Sequence, residues 1–284
     1  MTRFGPAGNC DAFAAAGYKS TAQMPAFLAG YGLTAYEYQC GRGVRLSDAT
    51  AIALRTAAQQ HDIQLSLHAP YFISLASDDP QKRDNSINYI LESAEAVSRL
   101  GGDRIVVHPG GLGGLSREEA TALACETLTR AQRALDESGL SAVRICPETM
   151  GKIGQLGTLD EVLQMCRVDE RFLPTVDFGH LNSRTHGEMS TTAQFNALLD
   201  RLENELGTER AAQFHSHFSK IEYTAGGEKK HLTFEDTVFG PEPAPLMQLI
   251  ADRGWSPTFI CESAGTQTAD AAAMMALWQA AGGK

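Results

Sequence analysis

The 284-residue sequence has no run of 18 or more apolar residues, which excludes a membrane-spanning helix. Its opening, Met1-Thr2-Arg3-Phe4-Gly5-Pro6, lacks the basic start and apolar stretch of a secretion signal, so a cytoplasmic protein is expected. The six cysteines, Cys10, Cys40, Cys125, Cys146, Cys166 and Cys261, include no C-x-x-C pair, which argues against a disulfide framework and a structural zinc knuckle. Positive charge is short as well: 24 Lys and Arg face 34 Asp and Glu, a formal charge of −10. That sign excludes nucleic-acid binding through bulk basicity, so a polyanionic partner must meet local positive charge such as bound divalent cations. Low-complexity tracts and Pro/Ser-rich linkers are absent too, and one domain over residues 1–284 is the simpler organisation. With 43% hydrophobic and 20% charged residues, the chain has ample material for a large core.

What is present is a recurring unit, a short apolar run rich in β-branched residues, then Gly/Pro/Ser punctuation, then a longer stretch of helical periodicity. Strands are expected at Arg3–Pro6, 33–38, 63–68, 104–108, 143–148, 173–177, 212–218 and 257–262. Helices are expected near 23–31, 48–61, 80–100, 117–138, 159–166, 192–206, 244–252 and 269–280. Ser47 precedes one of them, and Ser116 with Glu119 forms a capping-box pattern at another. Strict alternation at about 35 residues per unit predicts an α/β fold of the closed (β/α)8 TIM-barrel type. A doubly wound sheet is disfavoured because no Gly-x-Gly-x-x-Gly turn follows the first strand.

In such a barrel the active site lies at the C-terminal ends of the strands. Strand three ends at His68, strand four at His108, strand five at Glu148, strand six at Asp177 with His180 three residues on, and strand eight at Glu262; strand seven carries His215 and His217. Taken singly, each residue has a bland reading as a hydrogen-bonded structural group or a helix cap. Crowded into one rim, they would repel or stay unsatisfied without cations between them, at a cost of several kcal/mol. The imidazole share favours zinc, with manganese also compatible. The donors outnumber what one tetrahedral ion takes, and a shared carboxylate could bridge two ions for phosphoester hydrolysis.

At these residues the sequence resembles the endonuclease IV family of apurinic/apyrimidinic endonucleases, within the xylose-isomerase-like barrel superfamily. The resemblance spans nearly the whole chain through His68-Ala69-Pro70-Tyr71-Phe72-Ile73-Ser74-Leu75, Val107-His108-Pro109-Gly110, Pro147-Glu148-Thr149, Asp177-Phe178-Gly179-His180, residues 215–220 and Cys261-Glu262-Ser263. It implies two or three zinc ions: one on His68, His108 and Glu148, a second on Glu148, Asp177, His215 and Glu262, and a third on His180, Glu228 and His231. It further implies a monomeric repair enzyme that cleaves duplex DNA 5′ to abasic sites in base excision repair, with Glu148 as the catalytic bridge. Tyr71 and Phe72 fall where the family wedges side chains into the duplex, although they could equally pack under the following loop. Gln39, Arg42, Arg184, Lys220, Lys229 and Lys230 are further expected phosphate contacts.

Three departures stand out. The family's Asp-x-His on the third-ion loop becomes Glu228-Lys229-Lys230-His231, and its His-Leu-Asn-Asp after strand seven becomes His215-Ser216-His217-Phe218. His217 is thereby an extra ligand, a proton shuttle or a substrate contact. The recognition loop is poorly matched in Gln39-Cys40-Gly41-Arg42-Gly43. A second activity thus stays open, a divalent-metal-dependent sugar isomerase or epimerase using Glu148 and Glu262 as its proton-exchanging pair.

Overall fold

The computed structural model describes residues 1–284. Its strands are β1 (Arg3–Pro6), β2 (Ala35–Gln39), β3 (Gln64–His68), β4 (Arg104–Val107), β5 (Arg144–Pro147), β6 (Thr175–Asp177), β7 (His215–Phe218), β8 (Ile221–Thr224), β9 (Gly227–His231) and β10 (Thr258–Cys261). Eight of these are parallel and lie in two arcs, β2-β3-β4-β5 and β6-β7-β10-β1. Single parallel bridges, Ala7 to Glu37 and Glu148 to Thr175, join the arcs at both seams and close the (β/α)8 barrel. The strands of the third, fifth and eighth units match the expected positions closely; His108, Glu148 and Glu262 sit one residue past the ends of β4, β5 and β10, with Glu148 still bridged to Thr175.

The expected helices are present as Met24–Ala29, Asp48–Gln60, Pro80–Leu100, Arg117–Glu137, Leu159–Cys166, Thr192–Leu206, Ala244–Arg253 and Gln267–Ala280. Local chemistry starts them where the sequence suggests. Ser47 accepts the N–H of Thr50, and Ser116 and Glu119 satisfy each other's backbone in a capping box, as do Thr158 with Glu161 and Thr191 with Gln194. Each such cap stabilises its helix by about 1 kcal/mol. The helices pack apolar faces on the strands, where Phe4, Phe214 and Phe259 form a chain of ring contacts at 5.4 and 5.9 Å.

Besides the short helices Asp11–Ala15 and Thr208–Ala211 and a 3-10 turn at Thr21–Gln23, two features beside the strand ends were not read from the sequence. A short helix, Phe178–Arg184, follows β6 directly, with the Asp177 carboxylate accepting the His180 N–H at its start. The strands β8 and β9 form a separate antiparallel ribbon after β7. No helix is long and apolar enough to cross a membrane.

Candidate metal centre

The C-terminal ends of the parallel strands open into a cavity of about 500 Å3 whose lining includes His68, His108, His180, Glu228, His231 and Glu262. Three donor sets meet there. In the first, the Nε2 atoms of His68 and His108 are 3.2 Å apart, and each faces Glu148 Oε2, at 3.4 and 3.0 Å. These separations would let the three donors share one metal ion, since bonds of 2.0–2.1 Å in a tetrahedral arrangement separate ligands by about 3.3 Å. In the second, His217 Nδ1 lies 3.0 Å from Glu148 Oε1 and 3.6 Å from Glu262 Oε2, and Asp177 completes a group of four. In the third, Glu228 Oε2 lies 3.4 Å from His180 Nε2, and His231 joins the same cluster.

The ribbon makes the third set possible. Gly227 has φ +89°, and a Cβ there would fall 2.2 Å from the carbonyl oxygen of Gly151; a Cβ on Gly151 would fall 2.6 Å from Glu228. Two bare α-carbons thus let β9 bridge to Lys152 on the loop after β5 and bring Glu228 over His180. That loop is held from beneath by Arg184, which donates to the carbonyls of Met150, Lys152, Ile153 and Gln155.

Each imidazole but His108 has its second nitrogen held by a hydrogen bond, although His180 Nδ1 also lies 3.3 Å from Asp177 Oδ2 and 3.4 Å from Glu148 Oε1. His68 Nδ1 donates to Ala69 O and His180 Nδ1 to Thr149 O, both leaving Nε2 for the centre, and His231 Nδ1 is hydrogen-bonded to Ser219 Oγ. His217 is inverted: its Nε2 donates to Glu37 Oε1 at 2.9 Å, leaving Nδ1. Orientation by a second hydrogen bond is characteristic of metal-ligating histidine.

The electrostatics fit a cation. Buried Glu148 Oε2 and Asp177 Oδ2 have no hydrogen-bond partner. Burial alone would raise Glu148, but the His217 and His108 imidazoles outweigh it and hold the carboxyl well below the usual range. Burial raises Asp177, helped by Glu262 and Glu148 against His180. Burial would lower His180, yet Asp177 and Glu148 push it up to about 10; Glu262, Glu37 and Glu148 likewise carry His217 well above its ordinary value. The donor chemistry therefore suits divalent metal ions at all three sets.

Several expected roles need correction. His215 does not face Glu148, Asp177 or Glu262: it is fully buried one layer deeper, grouped with Glu37 and His217, its Nε2 donating to Glu37 Oε2 at 2.9 Å, and His217 stands beside Glu148 and Glu262 in the place expected for His215. Two residues along a strand is one full pleat, so the same face is shared at different depths. Lys220 is not a phosphate contact; it is buried and paired with Glu242 at 2.5 Å. Arg184 is likewise spent on four carbonyls, and Lys229 and Lys230 both pair with Glu222. Gln39 lines the cavity while donating to Glu37, and Arg42 is exposed on the loop after β2.

Tyr71 and Phe72 do not pack under the following loop, being 56% and 55% exposed. Tyr71 stacks on His108 with ring centroids 5.2 Å apart and lines the cavity. The residue the sequence concealed is Glu37. Nothing in Tyr36-Glu37-Tyr38-Gln39 distinguishes an inward carboxylate from a solvent-facing one, apart from its two-residue spacing from Gln39, on the same face.

Comparison with known proteins agrees with this architecture. The model of the family described as xylose isomerase-like TIM barrel matches residues 25–279. An uncharacterized protein of Methanocaldococcus jannaschii is 33% identical over 231 residues, covering 81% of this chain and 82% of that protein. A probable endonuclease 4 of Thermoplasma acidophilum is 26% identical over 237 residues, covering 80% and 79%. The crystal structure of a D-tagatose 3-epimerase-like protein superposes with a TM-score of 0.73 at 19% identity over 99% of this chain and 97% of that one, a likeness of fold. The closed barrel, the donor-lined rim and the family match lead to one assignment: this chain belongs to the xylose isomerase-like TIM barrel family.

Proposed function

We propose that the chain is a metal-dependent phosphodiesterase of the endonuclease IV type that cleaves duplex DNA 5′ to abasic sites. The observation that carries this reading is the third donor set: His180, Glu228 and His231 assemble beside the two sets that share Glu148. One ion is enough to polarise the two adjacent oxygens of a sugar for proton exchange, whereas a third donor set suits a phosphoryl group with several charged oxygens. His68, His108 and Glu148 would hold the first ion, Glu148, Asp177, His217 and Glu262 the second, and His180, Glu228 and His231 the third. Zinc, favoured by the imidazole-rich donors, supplies Lewis acidity and a nucleophile from water at neutral pH when bound.

The chain's own residues add two elements. Lys152 is the one Lys or Arg lining the cavity, makes no ion pair, and sits on a loop fixed by Arg184; it serves to hold a substrate phosphate oxygen. Tyr71 and Phe72 offer exposed rings beside the mouth against a duplex opened at the lesion.

The group Glu148, Asp177, His217 and Glu262 supports a second reading. It offers four donors for one ion, with Glu148 and Glu262 both within reach of His217 Nδ1 at 3.0 and 3.6 Å, and supplies the pair of glutamates that proton exchange in a sugar isomerase or epimerase would use. Metal analysis of the purified chain, joined to a nicking assay on an abasic duplex with and without chelator, separates the two. Two or three ions and chelator-sensitive nicking are expected; a single ion, no nicking and turnover of a ketose would establish the epimerase instead.

A further inference from the structure

We infer that Glu37 is the positioning residue of the centre: by accepting the Nε2 proton of His217 it commits Nδ1 of that ring to the ion shared with Glu148, Asp177 and Glu262. This rests on metal binding at His217, common to both readings above, and not on the substrate.

Glu37 is fully buried in the barrel interior on β2. Its Oε1 accepts from His217 Nε2 at 2.9 Å and from Gln39 at 3.2 Å; its Oε2 accepts from His215 Nε2 and from Ser66, both at 2.9 Å. Four donors saturate a carboxylate. Neither Lys nor Arg pairs with it; its only ionic partners are the two imidazoles. Barrel interiors are ordinarily filled by branched apolar side chains, and a buried carboxylate is weak as a source of stability. A polar layer of Glu37, Ser66 and His215 beneath the donor sets is therefore explained by what stands on it.

That is the ring of His217, which turns Nδ1 toward the donor sets and Nε2 toward Glu37. The closest group to this Nδ1 is Glu148 Oε1 at 3.0 Å, the carboxylate common to two donor sets. With Nε2 as donor to Glu37, the ring has one tautomer when metal is bound and one orientation. His215 occupies the second oxygen of Glu37 from the same strand and keeps the carboxylate from turning. A carboxylate behind a ligating imidazole also makes it a stronger base toward the ion.

The test is zinc titration of the whole chain against a chromophoric chelator, wild type beside Glu37→Gln, with circular dichroism as the fold control. Weakening of one bound ion by roughly 10- to 100-fold is expected, the others staying near wild type. Equal affinity and stoichiometry in Glu37→Gln overturn the assignment. Should that variant not fold, the imidazole 15N spectrum of the zinc-loaded wild type decides. A proton on Nε2 of His217 supports the assignment, and a proton on Nδ1 with zinc on Nε2 overturns it. A wild-type chain that takes up no zinc or other divalent ion overturns both this inference and the metal-dependent reading beneath it.

Discussion

His215 and His217 stand on one strand with ring centroids 5.5 Å apart and divide the two oxygens of Glu37 between them. Their depths give them opposite work: the lower ring props a carboxylate, and the upper ring reaches the donor sets. His217→Gln should lose about one metal ion per chain, whereas His215→Gln should keep the wild-type metal content and lower the melting temperature. Metal analysis after dialysis with both variants checks this; loss of an ion in His215→Gln alone would reverse the assignment.

Glu148 joins the first two sets, its Oε2 facing His68 and His108 and its Oε1 facing His217. Glu148→Gln keeps the volume and removes the charge. Nicking of an abasic oligonucleotide should fall to background while the circular dichroism spectrum is retained. Persistent nicking would remove Glu148 from the mechanism.

The raised imidazoles set a pH dependence. Without metal, His180, pushed up to about 10 by Asp177 and Glu148 against burial, carries a proton at neutral pH, and so does His217. Metal must displace these protons, so loading at pH 7 should release protons and affinity should climb as pH rises. Calorimetry in buffers of different ionisation enthalpy reads the release directly. In chelator the sign is opposite for stability: a histidine raised in the folded state contributes fully below about 6.5, and that contribution fades as pH rises through about 10. Thermal melts with chelator should therefore fall between pH 7 and 10, and a flat profile would contradict the shift.

Lys152 is exposed and unpaired, so replacing it should leave the fold alone. In Lys152→Ala, KM for an abasic duplex should rise several-fold with kcat little changed. The slope of log affinity against log salt should shrink by about 0.9, the share of one phosphate contact. An unaltered slope would reduce Lys152 to a solvated surface charge.

Tyr71 is held in place by its stacking on His108 and by its N–H donating to Gly41 O, while Phe72 rests against Tyr89 at 5.9 Å. Replacing both with Ala should weaken binding to abasic duplex more than to undamaged duplex. Equal weakening, measured by fluorescence anisotropy, would show that they do not sense the lesion.

The barrel and its rim were legible because runs such as Ile105-Val106-Val107 lead straight into a ligand-type residue, and repetition around a closed sheet brings those ends together. Depth was not legible. Residues 215 and 217 share a face, and only the pairing of Thr175 with His215 and Asp177 with His217 shows which lies at the rim. Nor could charge alone separate a phosphate contact from a clamp. Arg184 and Lys220 look like free cations until carbonyls and Glu242 are found around them. The ribbon was missed although Gly226-Gly227 is a hairpin signal, because nothing in an eightfold count asks for a ninth and tenth strand.

That ribbon makes the chemistry modular. The first two donor sets come from the staves and their immediate ends, but Glu228 and His231 arrive on a separate ribbon that meets the loop after β5 through two glycines. Eleven residues, Ile221 to His231, carry two of the three donors of that cation seat, and buried Ile221 anchors them against the helix that carries His180. The number of cations the rim can seat is thus set by a segment outside the eight staves.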